Sequence, residues 1–303
     1  MTKIHITKPL RAFDFGLVAA RMDGLLFNID RHLQRLKRKF GDVPTMDRSL
    51  SLSNVLLRFA RNSYNAVRYL TARTPEDSAR RPNYVLVVPA INRQLLDLLF
   101  SLVYMMDDFE VRSLQYQRAG WRESLEEYHK YKNHFSADPA WSQHFKNLKN
   151  NLEMMVSQFG ITNEQQKNPR SILYWKHPGD LKDEKTASRP FLKYLDKWLY
   201  GDTSAQAHLS FGGLVNVAAF LVSDIIGGQP EQFIEERILP QYHFIHFSRT
   251  AIVTLAIATE IDVHYKLNYR DDALYLWSTF GDYVAEGKEM FEHRYEKLLE
   301  SYK

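Results

Sequence analysis

The stretch YVLVVPAINRQLLDLLFSLVYMMDDF, residues 84–109, decides the fold. It opens like a strand, because Val85, Val87 and Val88 are β-branched and suit a pleated surface. Pro89 and the long apolar run behind it argue instead for a buried helix. Within that helix Leu95, Leu98, Leu99, Leu102 and Val103 make an apolar surface broader than a single stripe, which predicts a central position in a helical array.

Toward the N-terminus, Phe13, Leu17, Ala20, Gly24, Phe27, Leu33 and Leu36 recur at helical spacings, predicting one amphipathic helix from Pro9 to about Phe40 with these residues as its apolar stripe. A second helix is expected from about Leu52 to Ala72, closed at the Thr74-Pro75 step. Toward the C-terminus, helices are expected near Glu110–Phe135, Pro139–Phe159, Pro190–Leu199, Ser204–Ile226, Gln229–Asp262 with a kink at Pro240, and Asp271–Tyr302. The polar segment from Gly160 to Ser188 has two prolines, two glycines and no helical period, and reads as a long loop. The expectation is an all-α chain of two packed antiparallel sub-bundles: residues 1–160 as a basic bundle, 161–188 as a loop or lid, and 189–303 as a second bundle.

With 45% apolar residues the chain has material for a sizeable core. It has no cysteine, which excludes disulfides, thiol nucleophiles and Cys-ligated zinc, and agrees with a reducing, cytoplasmic setting. Its first residues, MTKIHITKPLRAFDFG, lack the apolar core of a signal peptide. The most apolar stretches, Leu95–Met106, Leu214–Ile226 and Ala251–Ala258, are each too short to span a bilayer, so no membrane partner is expected.

The net charge of +4 conceals an asymmetry. Residues 1–100 hold 17 Lys and Arg against 8 Asp and Glu, or +9, which leaves −5 for the remainder. Arg31, Arg35 and Arg38 share one side of the first helix, with Arg58, Arg61 and Arg68 on the second. Clusters of this kind attract phosphate backbones, so RNA or another polyanion is the expected partner of this face, with a protein partner or a second copy of the chain as the other candidates. The competing reading is a solvated charged face.

Two short patterns carry the candidate chemistry. In NRQLLDLLF, Arg93 and Asp97 lie four apart on a Leu-rich helix, where a lone charge is costly. They are therefore expected to be buried and bonded to each other or to the helix that follows in the second pattern. In LYGDTSAQAHLSFGG, Ser204 and His208 are also four apart, behind Asp202 or Thr203 as the N-cap. At these two places the chain resembles an uncharacterised family of bacterial helical proteins, in which an Arg followed four residues on by an acidic residue precedes a Tyr-x-x-x-Ser-x-x-x-His element. Here that element is Tyr200, Ser204 and His208. Trp175 before a Gly-containing loop fits as well, and the resemblance covers roughly residues 85 to 225.

That family is similar, more loosely, to the HEPN superfamily of helical, often dimeric, RNA-cutting or toxin-related domains. The resemblance implies an intracellular bacterial effector or regulator acting on RNA in phage defence or stress. The HEPN pattern of Arg, four to six residues, then His is met only by Arg170 and His177, between Pro169 and Pro178 in what reads as loop. The chemistry implied is metal-independent phosphodiester cleavage. His208 would relay the proton, Arg93 would stabilise the anionic phosphorane, and Asp97 and Ser204 would orient them. The same four residues also suit a satisfied buried network that fixes helix register in a non-catalytic scaffold.

No cofactor or metal is expected. A di-iron bundle needs two Glu-x-x-His elements, and the chain has one, Glu126 to His129. His243 and His246 are interleaved with Phe244 and Phe247 and read as packing residues. Tyr174 and Trp175 are expected to anchor the long loop on the helical body near the start of the Ser204 helix, making it a lid.

Overall fold

A computed structural model describes residues 13–71, 87–201 and 239–302, and every regular element among them is helical. The all-α class read from the sequence is the observed one. The chain opens with α1 (Phe15–Phe40) and α2 (Pro44–Thr71), an antiparallel hairpin turned at Gly41. There follow α3 (Val88–Met106), α4 (Phe109–Phe135) and α5 (Ser142–Gln158). Short helices α6 (Asn163–Lys167) and α7 (Pro178–Leu181) lead to α8 (Arg189–Leu195), which winds on through five π-type residues, Asp196–Tyr200. The C-terminal part comprises α9 (Leu239–Tyr265), α10 (Arg270–Tyr283), α11 (Ala285–Met290), a second π-type turn Phe291–Tyr295, and α12 (Glu296–Glu300).

α9 takes the centre. It packs against α1, α2, α3 and α10, and its window His243–Tyr265, long and apolar enough to cross a membrane, is 94% buried inside the fold. A helix apolar all round and covered on every side is the signature of a core element. The main core runs from Phe13 to Leu299, so helices from before and after residues 161–188 contribute to it together. A second, small core of Trp121, Leu152, Ile161 and Ile172 holds the α4–α5 hairpin to the segment that follows it.

Four expectations need correction. The expected stripe enters the core only at its ends, Phe13, Leu33 and Leu36; between them α1 buries Val18, Met22, Leu25, Leu26 and Ile29 instead, while Leu17 and Phe27 are exposed. Two helical-period stripes coexist on α1, and the one richer in large aliphatic side chains wins the core. α2 begins at Pro44 rather than near Leu52, with the proline in the first turn, where its missing N–H costs nothing.

The segment 160–188 is not structureless. Thr162 and Gln165 close a capping box on α6, Pro169 starts a 3₁₀ turn, and Pro178 starts α7. The expected helix over 271–302 breaks at Val284, whose backbone is extended. Just beyond, Gly287 lies so near Phe280 that a Cβ would sit 3.1 Å from that residue, so the close crossing needs glycine.

Candidate functional site

α3 brings Arg93 and Asp97 to one face, as their spacing requires. The Arg93 Nε lies 3.2 Å from an Asp97 carboxylate oxygen; the arginine side chain is 9% exposed and the aspartate 37%. The expected pairing is present, but only its cationic half is buried. The third partner is Tyr200, at the end of the π-type turn. The Arg93 guanidinium stacks 3.4 Å from the centre of the Tyr200 ring and also donates a hydrogen bond to its hydroxyl. Tyr200 in turn packs edge-on against Phe100. Burial, with the charge of Asp97 behind it, raises the phenol above its ordinary value, so it stays protonated.

His177 completes the cluster. Its Nδ1 accepts from the Gly179 N–H at 3.2 Å and lies 3.5 Å from the Tyr200 hydroxyl. With Nδ1 accepting, the neutral ring carries its proton on Nε2. The arrangement is a chain of polar groups from Arg93 through Tyr200 to His177, at the start of α7. Ser204 and His208 lie outside the described residues. The HEPN-like pair is separated by its local structure, with Arg170 in a 3₁₀ turn and His177 capping α7.

Beside this cluster opens a cleft of about 830 Å³ between α2, α3, α4, the end of α5 and the strap Trp175–Pro178. Asp97, His177 and Gln94 reach it from the cluster side, and Leu52, Val55, Phe59, Leu98, Met155 and Phe159 supply its apolar walls. The strap is anchored by Trp175, whose ring sits edge-on to Tyr104 and Tyr116 and whose indole N–H donates to Ser101 at 3.1 Å. Tyr174 points the other way: Arg122 stacks on its ring at 3.7 Å and its hydroxyl donates to Glu126. Adjacent residues of an extended strap face opposite sides, so Trp175 anchors it on α3 and α4 and Tyr174 on the other side of α4; the start of the Ser204 helix, near which both were expected, lies outside the described residues. Glu126, the carboxylate of the Glu-x-x-His pattern, is engaged by Tyr174 and Arg122.

A second cavity, about 490 Å³, lies between α1, α2, α4 and the end of α9. Tyr265 on its wall is already bonded to Ser49 and Ser53, at 2.8 and 3.0 Å. His243 and His246 are buried in the core. Burial, with Arg249 and His243 adding to it, pushes His246 down to about 3, so it is neutral.

The basic face divides into two kinds of arginine. Arg58 pairs with Asp30 at 3.1 Å, and Arg68 with Asp23 at 2.5 Å, as rungs between α1 and α2. Burial works to raise the Asp30 carboxyl, but hydrogen bonds from Arg58, Asn54 and Gln34 hold it below its ordinary value. Arg31, Arg35 and Arg38 are exposed on α1. Arg61 reaches from α2 to the ring of Phe27.

Reading the spacing alone missed two features. Tyr200 was visible in the sequence only as the first residue of a motif, yet it is the direct partner of Arg93. A separate buried network, in which Arg294 binds Glu260 through two nitrogens and also Ser188, links positions too far apart for any spacing to signal. No known protein family, curated protein or solved structure matches this chain.

Proposed function

We propose that this protein acts by binding, as a helical interaction module whose cleft beside the Arg93 cluster receives a ligand with an apolar body and a polar end. The observation that carries this reading is how Arg93 is engaged. Its guanidinium is stacked on Tyr200, bonded to the same residue's hydroxyl and paired with Asp97. An arginine held on three sides works as a strut, and its one nitrogen without a hydrogen bond among the described residues, Nη1, is buried, so a phosphate reaches it only by displacing what covers it. Apolar walls interrupted by polar groups, here Ser51, Gln117, Glu123 and Gln158 as well as Asp97 and His177, are the usual make-up of a ligand site.

The test is titration with a neutral apolar fluorophore, N-phenylnaphthylamine, against the wild type and Val55→Trp. Val55 is exposed at the cleft wall, so tryptophan fills the cleft without entering the core. Saturable one-site binding that Val55→Trp abolishes, with an unchanged melt, is expected. No saturable binding, or equal binding by both proteins, overturns the reading.

A second reading, metal-independent cleavage of RNA at the same cluster, draws support from His177 standing beside Tyr200 at the cleft. There the imidazole takes the proton of a ribose hydroxyl as its oxygen bonds to phosphorus, and the imidazolium gives a proton back to the departing oxygen as its bond to phosphorus breaks. RNA incubated with the wild type and with His177→Ala separates the two. Cleavage lost in the variant favours the second reading, and intact RNA in both favours binding alone.

A further inference from the structure

We propose that the outer face of α1 is a single-stranded nucleic-acid surface, with Phe27 as its base-stacking platform and Arg31, Arg35, Arg38 and Arg61 as its phosphate contacts. The inference does not depend on the cleft. It begins with the face that α1 turns outward. Phe27, Arg31, Arg35 and Arg38 follow one another at helical spacing opposite the buried stripe, over about 16 Å of helix axis. Phe27 is 44% exposed, a large apolar ring at the N-terminal end of the basic stripe.

Its neighbours are cations. The guanidinium of Arg31 lies 5.5 Å from the ring centre and that of Arg61, arriving from α2, 5.8 Å. Guanidinium groups lying over an aromatic ring form a cation–π stack whose outer planes bases can cover whatever their sequence. The carboxylates nearby are committed elsewhere, Asp30 to Arg58, Asp23 to Arg68 and Asp47 to Lys37. Arg31, Arg35, Arg38 and Arg61 form no ion pair among the described residues, so the face keeps an excess of positive charge in the first third of the chain, which carries +9.

A solvated face would not need the phenyl ring there. A membrane surface would call for several apolar side chains at the same level, and the other exposed one on this stripe, Leu17, lies about 15 Å along the axis from Phe27. A double helix hides the faces of its bases and leaves Phe27 nothing to stack on. An unpaired strand offers both phosphates and base faces, and matches both halves of the surface.

The test is fluorescence anisotropy with a labelled oligouridine, the matching duplex RNA, heparin as competitor, and vesicles containing phosphatidylserine. The expected result is binding to the single strand in preference to the duplex, falling steeply with salt. Phe27→Ala lowers the affinity about fivefold or more while leaving the salt dependence unchanged. Charge reversal of Arg31, Arg35 and Arg38 together reduces the slope of log K against log salt by about two. Because Phe27 is exposed, its variant remains folded even if the triple variant does not. Phe27→Ala binding as tightly as the wild type, duplex or vesicles bound better than the single strand, or no binding at low salt would each overturn the proposal.

Discussion

Arg294 and Arg93 both pair with carboxylates inside this fold, and they are held differently. Arg294 sits on a π-type turn and is gripped through two nitrogens by Glu260, a carboxylate only 2% exposed. Ser188 adds a hydrogen bond at 3.0 Å and passes the connection on to Asp107 at 2.7 Å. Arg93 also meets a π-type turn, through Tyr200, but its carboxylate partner Asp97 stands half in water on the wall of the cleft. The first cluster is sealed and closes the core between α9 and the C-terminal turn. The second is sealed on one side and open on the other. A sealed ion pair can only hold the structure together, whereas an open one offers its acceptor to whatever enters the cleft.

The largest effect should come from the sealed cluster. Glu260→Ala leaves a buried guanidinium without its counter-charge, and a loss of about 3–5 kcal/mol is expected in a urea melt. A loss below about 1 kcal/mol would mean that the two clusters do not differ in kind. Burial lowers the tendency of Arg294 to stay charged, yet Glu260 more than restores it and holds the guanidinium well above its ordinary value.

The next effect is a pH dependence. Asp262, buried near the end of α9 and bonded to Tyr302 at 2.9 Å, has its carboxyl pushed up to about 6, chiefly by burial. The folded state therefore binds this proton more tightly than the unfolded chain does. Stability contributed by the protonated group is full below the unfolded value near 4 and is lost as pH rises through about 6. Relative to Asp262→Asn, the wild type should gain on the order of 2–3 kcal/mol between pH 7 and pH 4. Parallel melts of the two proteins across that range would show the gap as constant if Asp262 does not titrate there.

Smaller effects are expected at the open cluster. Tyr200→Phe removes an acceptor from a buried guanidinium and should cost about 1–3 kcal/mol. Asp97→Ala should cost about 1–2 kcal/mol, because it removes a partly solvated carboxylate and leaves the buried Arg93 guanidinium stacked on and bonded to Tyr200. Both are read from chemical melts, and an Asp97 effect matching that of Glu260 would erase the distinction between sealed and open.

Much of this was legible in the chain, and the reasons are local. The apolar run behind Pro89 gave α3, and the four-residue spacing of Arg93 and Asp97 gave their pairing, because both depend on neighbours along one helix. The anchoring of Trp175 followed from the size of its ring. The inward face of the middle of α1 was misread because both of its stripes obey the same period, and only the partners α2, α9 and α10 decide between them. Arg294 and Glu260 are 34 positions apart on separate helices, so no motif announced them. The charge of Glu260 inside so apolar a helix was the one available sign.

The most direct test of the distinction is the affinity of the cleft for a cationic aromatic amine, set against its neutral analogue, in Asp97→Asn and Glu260→Gln. The expected result is that Asp97→Asn weakens the cationic ligand severalfold and spares the neutral one, while Glu260→Gln lowers the melting temperature and leaves both affinities unchanged. An Asp97→Asn protein that binds both ligands as the wild type does, or a Glu260→Gln protein that remains fully stable and loses binding, would contradict the assignment of the open cluster to the functional surface.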